Sequence, residues 1–195
     1  MIRISRSTTG PRHPRHGLPR TRHVIRQLLR EQFIPGNPPA IWDFFATPRN
    51  LDALTPPSLR LAIVGDLPAR MYAGQMIAYR VGILPGVTLR WLTEITHVRE
   101  GEFFVDEQRI GPYRLWHHEH RFVPAPDGRG VTMTDRITYD VGWGPAGDLA
   151  HALWIGRQLN TIFDYRAKRA TEIFPQQDCR MDFSSRPPIW RAAPQ

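Results

Sequence analysis

The sequence predicts an α+β domain in which a curved antiparallel sheet wraps around one long C-terminal helix, with two short helices after the first strand. Three observations predict it. Some eighty residues after Pro57 alternate between strand-patterned runs and turn-rich links, and the links are too short for anything but antiparallel connections. A stripe of small and apolar residues at helical spacing follows, about seven turns long. A sheet of that length has an apolar face to cover, and the last helix is the element available to cover it.

Residues 23–33, "HVIRQLLREQF", partly alternate, with Val24, Leu28 and Phe33 apolar, and read as the first strand. "GNPPAIWDFFATP" then carries helix-start chemistry: Asn37 as N-cap, Pro38 and Pro39 in the first turn. Ile41 and Phe45 stand at i,i+4 spacing, and Pro48 ends the turn. "NLDALTPP" reads as a second short helix capped by Asn50, with Leu51 and Leu54 on one face. Both are too short to be stable alone and must dock. The strands of the meander are read at 59–64, 75–81, 87–97, 103–109, 113–123 and 131–141, separated by "GDLPARMYAG", "GILPG", "REGE", "IGP" and "PAPDGRG". In the final helix Leu149, Leu153, Gly156, Asn160, Phe163, Ala167, Ala170 and Phe174 form one face, and Pro175 stops it.

The chain has 195 residues, enough to bury a sizeable core. It has no apolar run near the roughly 18 residues that span a bilayer, and no apolar block follows the basic N-terminal residues as in a secretory signal. A single cysteine, Cys179, excludes an internal disulfide and a Cys-rich zinc site, so a cytoplasmic location is expected. The net charge of +8 is unevenly placed. Eight of the 26 basic residues are arginines within residues 1–30, where there is no acid, and the remaining 18 face 18 acidic residues. The basic excess therefore belongs to a leader rather than to a folded face, and no specific nucleic-acid partner is expected. The expected organisation is a disordered Arg/Pro-rich leader over 1–22, one domain over 23–175 and an irregular tail over 176–195. The leader reads first as a passive extension; its arginines could also attract anionic lipid, and its acid-poor composition is shared with organelle transit peptides.

One stretch of the meander concentrates chemistry: "GPYRLWHHEHRF", residues 111–122, places His117, His118, Glu119 and His120 in a row. Strand side chains alternate, so this row is two sets. Trp116, His118, His120 and Phe122 share the face with bulky apolar ends and are assigned inward; Leu115, His117, Glu119 and Arg121 are assigned outward. The same reasoning turns Phe104, Asp106 and Gln108 inward on the preceding strand, and Val131, Met133, Asp135, Ile137 and Tyr139 inward on the following one. The "PAPDGRG" hairpin then sets Asp135 opposite His118 or His120, and the "IGP" hairpin sets Asp106 near Trp116 or His118. Asp106, Gln108, His118, His120 and Asp135 form one polar patch on an otherwise apolar concave face. Three uses are open, in this order: a buried structural network, a patch that orients the polar head of an apolar ligand, and acid–base or metal chemistry. His-x-His on a strand would suit a metal, but the further Glu and His that a cupin supplies from later strands do not follow; no metal and no cofactor are expected.

The order of elements and the segments "PPAIWDFFATPRNLDALTPP", "GQMIAYRV", "LRWLTEIT", "FFVDEQRIGPYRLWHHEHRF", "TMTDRITYDV" and "RQLNTIFDYRAKRATEIF" resemble the SRPBCC (START/Bet-v-type) superfamily with its helix-grip fold, over about residues 24–174. The likeness is strongest to its bacterial ligand-binding or polyketide cyclase/dehydrase-like branch, through Trp91, Asp106, Gln108, Gly111, Pro112, Trp116, His118, His120, Asp135 and Tyr139. The resemblance implies a cavity between sheet and C-terminal helix for lipids, quinones, polyketides or similar ligands. It implies no fixed catalytic set, since such proteins include carriers as well as enzymes.

The expected function is therefore binding of a hydrophobic or amphipathic small molecule, with Trp91, Trp116, Phe122, Tyr139 and Phe163 around the apolar body and Asp106, Gln108, His118, His120 and Asp135 around the head. The alternative is a cyclase, dehydratase or hydrolase using His118 or His120 as acid–base, oriented by Asp106 or Asp135. A third expectation is transient membrane contact through Ile83, Leu84 and Trp143 in the turns "GILPG" and "VGWGP". Oligomeric state is not read from the sequence.

Overall fold

The structure is a computed structural model that describes residues 24–84 and 86–175, without the side chains of Ile83 and Leu84. The expectations for the leader and the tail lie outside the described residues, as do those for the side chains of Ile83 and Leu84.

Seven strands form one antiparallel sheet: β1 (Arg26–Pro35), β2 (Ala62–Val64), β3 (Gln75–Leu84), β4 (Val87–Arg99), β5 (Phe103–Ile110), β6 (Leu115–Pro124) and β7 (Gly130–Asp140). Their order is β1-β7-β6-β5-β4-β3-β2, so the first strand returns to pair with the last. Between β1 and β2 lie α1 (Pro38–Phe45) and two 3₁₀ turns, Pro48–Leu54 and Pro57–Leu59. After β7 the chain enters α2 (Gly144–Ala150), one π-helical turn (His151–Ile155) and α3 (Gly156–Ile173). The pairing of β4 with β5 shifts register twice, between Leu92 and Thr93 and between Ile95 and His97. Irregularities of this kind bend and twist a sheet, and α3 lies against its concave face, packing Leu159 and Phe163 on Trp116, Ile137 and Tyr139. This is the helix-grip arrangement expected from the sequence.

The inward faces of β6 and β7 fall where alternation puts them: Trp116, His118, His120 and Phe122 are buried, as are Val131, Met133, Asp135, Ile137 and Tyr139. Other details differ, each for a physical reason. In β1 the buried anchor is Ile34 (0% exposed) opposite Val131, while Phe33 points to the convex side and is 49% exposed. The inward set is Leu28, Arg30, Gln32 and Ile34, so two polar residues hid its phase. The first helix starts at Pro38 after Asn37 as expected, but the Asn37 side chain makes no capping hydrogen bond. The second short helix is a 3₁₀ turn that starts at Pro48 after Thr47, and the Asn50 amide instead donates to the Phe44 carbonyl. The strand expected over 59–64 keeps only Ala62–Val64, because Pro57–Leu59 continue in a 3₁₀ turn and Arg60 takes a left-handed conformation (φ 42°) that a strand cannot contain.

The largest difference is in the phase of the last helix. Phe163 and Ala170 are buried as expected, but Leu149 and Leu153 are 60% and 64% exposed. The inward line runs His151, Ile155, Leu159, Phe163, Arg166, Ala170. The slip begins inside α3, where the inward neighbour of Phe163 is the buried Leu159 and not the exposed Asn160; the π-helical turn at His151–Ile155 then carries the four-residue step on to Ile155 and His151. α2 also enters tightly. Trp143 precedes it with φ 63°, and a Cβ on Gly147 would run into the Gly142 carbonyl oxygen.

Candidate functional site

Between the concave face and α3 lies a cavity of about 230 Å³, bordered mainly by apolar side chains from the 3₁₀ turns, β3, β4, β6 and α3. One end is sealed by Trp42, Phe45, Phe104 and Phe122. Here the Trp42–Phe122 and Phe45–Phe122 centroids are 5.3 and 5.4 Å apart. Toward the other end Trp91, Tyr113 and Trp116 pack mutually, with centroids 4.8 to 5.7 Å apart. Such aromatic clusters fix their rings by edge-to-face and tilted contacts and keep the space between them open.

The polar patch sits in the cavity wall. Register places His120 opposite Asp135 on β7, and His118 opposite Asp106 on β5. The hydrogen bonds cross that register: His118 Nε2 pairs with Asp135 Oδ1 at 3.0 Å, and His120 Nε2 pairs with Asp106 Oδ2 at 2.9 Å. The other ring nitrogens close a four-membered cycle. His118 Nδ1 is 3.3 Å from Asp106 Oδ2, and His120 Nδ1 is 2.8 Å from Asp135 Oδ1, the last off the line of a hydrogen bond. The two imidazoles lie face to face, 3.7 Å between centroids, with Phe104 stacked on His120 at 4.1 Å and Phe163 edge-on to His118 at 5.5 Å.

Two neutral imidazoles carry two N–H donors, which the two hydrogen bonds use, and the approach of His118 Nδ1 to Asp106 takes a further proton. The cycle therefore draws protons, and His118 responds. Burial pushes its pKa down, but the charges and hydrogen bonds of Asp106 and Asp135 outweigh burial and hold it above the ordinary histidine range. For Asp106 and Asp135 burial pushes upward, and the two histidines reverse it, holding both carboxyls well below the usual range.

Asp106, His118 and His120 each offer one ligand atom, all within 4.8 Å of one another; among the described residues this is the trio able to hold a metal ion. Those atoms already face each other as donors and acceptors, so a cation there would have to displace the protons of the cycle.

Six of the residues expected at the ligand border the cavity: Trp91, Asp106, Trp116, His118, His120 and Phe163. The other four stand behind it. Asp135 holds the histidines from the far side. Phe122 belongs to the aromatic seal. Gln108 clamps the β5–β6 turn, its Nε2 donating to the Tyr113 carbonyl at 2.5 Å and its Oε1 accepting from the Tyr113 amide at 3.2 Å. Gly111 packs so closely on the Gln108 side chain that a Cβ would collide with it. Tyr139 shares a hydrogen bond with His151 Nε2 at 2.8 Å, tying β7 to the π-helical turn. His117 is turned outward and meets Glu107 at 3.0 Å, separate from the cycle.

Among the cavity residues not expected from the sequence are Tyr79 and Arg166. Tyr79 on β3 is buried, and burial with the Asp106 charge pushes its hydroxyl pKa up against the weaker pull of Arg166. Arg166 on α3 also borders the cavity. Its signal was a charge inside the stripe of Leu159, Phe163 and Ala170, legible only with the correct helical phase.

No family model matches this chain, and no curated protein matches it significantly. Solved structures do. Norcoclaurine synthase from Thalictrum flavum, a point mutant in complex with a transition-state analogue, is 17% identical over 78% of this chain and 98% of its own, with a TM-score of 0.55. A protein from Arthrobacter aurescens is 12% identical over 75% of this chain and 86% of its own, with a TM-score of 0.58. A nucleoside-diphosphate sugar epimerase from Corynebacterium glutamicum is 22% identical; the match covers 74% of this chain but 28% of that longer one, with a TM-score of 0.52. These likenesses show the fold.

Proposed function

We propose that this chain binds a small hydrophobic or amphipathic molecule in the cavity between the sheet and α3, as the bacterial SRPBCC ligand-binding branch it resembles would. The observation that carries the reading is an open space of about 230 Å³, mostly apolar in lining, at the centre of an otherwise packed domain. A cavity of about 150 Å³ is enough for benzene, so the space suits a ligand with one or two rings or an equivalent chain. Each aromatic wall residue buried against it contributes about 1.5–3 kcal/mol before ordering costs. Asp106, His118 and His120 stand where a carbonyl or hydroxyl of such a ligand would meet them. In this reading residues 23–175 are the functional unit, acting in the cytoplasm without metal or cofactor. Native mass spectrometry of protein taken from cell extract tests it: an apolar molecule should co-purify or be taken up, and a chain that never carries one sinks the proposal.

A second reading has its own observation. His118 borders the cavity with Asp135 behind its Nε2, and the proton it holds above the ordinary histidine range suits acid–base work. A cyclase, dehydratase or hydrolase of this kind would lose turnover on His118→Ala or Asp135→Asn while keeping ligand affinity within a few-fold; equal loss of both favours pure binding. Membrane contact during ligand exchange is the third. Trp143 is 84% exposed at the turn before α2, and flotation with liposomes should fall on Trp143→Ser if that turn touches lipid.

A further inference from the structure

Arg166 is a cation in the wrong place for a purely apolar cavity. It lies in the inward stripe of α3, three residues beyond Phe163, and borders the cavity. Its Nε is buried without a hydrogen-bond partner. Several arginines of the domain find carboxylates: Arg26 meets Asp148, Arg109 meets Glu94 and Glu107, and Arg121 meets Glu119. Arg166 meets no carboxylate in ion-pair reach among the described residues. Its contact is the Phe163 ring, 5.1 Å from the guanidinium carbon. A cation–π contact compensates only part of what a partly buried guanidinium loses on leaving water.

Asp106, the carboxylate that borders the same cavity, is not in ion-pair reach of Arg166, and its Oδ2 is turned to His118 and His120. The cavity wall thus holds a His/Asp cycle paired within itself and, apart from it, a guanidinium with no carboxylate partner among the described residues. A planar carboxylate answers that arrangement. It can accept two parallel N–H bonds from the fork, and it brings a single negative charge. A dianionic phosphate would bring a second charge toward Asp106, with no second cation to meet it.

We propose that the ligand is a small aromatic or otherwise apolar carboxylate, its head paired with Arg166 and its body held among Trp91, Trp116, Ile77 and Phe163. This rests on the cavity-binding reading and names the ligand class for it. The test is calorimetric titration of the whole chain with an isosteric pair, 2-naphthoate and 2-naphthamide. The wild type should bind the acid at least tenfold more tightly than the amide. Arg166→Met should bring that ratio to about one, and Arg166→Lys should keep part of it, with melting curves confirming that both variants fold. Equal affinities in the wild type, or a preference that survives Arg166→Met, overturn the proposal while leaving the cavity reading standing. Binding of neither probe overturns the cavity reading and this proposal with it. The wild-type ratio decides even if Arg166→Met fails to fold.

Discussion

Asp135→Asn separates the His/Asp cycle from the rest of the core, because it removes one charge and almost no volume. Asp135 is buried, and its Oδ1 lies 3.0 Å from His118 Nε2 and 2.8 Å from His120 Nδ1. Breaking a buried ion pair by removing one partner costs about 3–5 kcal/mol. Asparagine keeps one acceptor oxygen and the shape, which puts the expectation at the low end, about 3 kcal/mol. For a domain of this size each kcal/mol moves the melting temperature about 2–4 °C, so the variant should melt about 6–12 °C lower. The effect has a pH signature. His118 has a raised pKa in the folded state, so its contribution is full below the unfolded value of about 6.5 and is lost as pH rises through the folded value. Asp106 and Asp135 have depressed pKa values, so their contribution is full above about 3.9 and is lost as pH falls through the folded values. The cycle therefore stabilises most between about pH 4 and 6.5. His151 runs the other way, since burial and Arg26 lower its pKa; subtracting the variant's profile from that of the wild type removes its share. Urea unfolding followed by tryptophan fluorescence at pH 5.5 and 8.5 is the assay. The gap between wild type and Asp135→Asn should be wider at pH 5.5. A gap under about 1 kcal/mol, or one that widens toward pH 8.5, would refute the charge assignment.

Phe163→Ala should cost about 3–5 kcal/mol in urea unfolding, since Phe163 is buried against His118 and Leu159; it should also let the cavity admit a larger apolar probe. Gly147→Ala should destabilise by about 1–3 kcal/mol, because its Cβ meets the rigid Gly142 carbonyl rather than a movable side chain; a variant as stable as wild type would show that α2 does not enter as described. Dialysis against a chelator should leave melting temperature and ligand uptake unchanged. Loss of both, restored by a divalent ion, would instead assign Asp106, His118 and His120 as ligands.

How much of this was legible in the sequence depended on which period carried it. A strand's period of two is fixed by the backbone, so Trp116, His118, His120 and Phe122 could be turned inward with no knowledge of their neighbours. The polar residues among them did not blur the reading, because apolar residues stood at both ends of the set. In β1 the inward positions Arg30 and Gln32 are polar and the outward Phe33 is aromatic, so the same rule gave only partial alternation and no face. Cross-strand partners were legible to within one pair, since hairpin links fix register only through the turn. What stayed hidden was the crossing of the hydrogen bonds, His118 to Asp135 and His120 to Asp106, which depends on side-chain rotamers and not on register. The helix posed a different problem. An α-helix admits steps of three or four at each turn, and the pattern stepped to Asn160 and Gly156 where Leu159 and Ile155 face the sheet. Beyond Phe163 the expected stripe steps to Ala167, whereas Arg166, one position earlier, is the residue that borders the cavity. Placed correctly, Leu159, Phe163, Arg166 and Ala170 form one line facing the sheet. Under the carboxylate proposal that line supplies the cation: the histidines and aspartates pair among themselves through His118–Asp135 and His120–Asp106, and the guanidinium comes from the helix opposite.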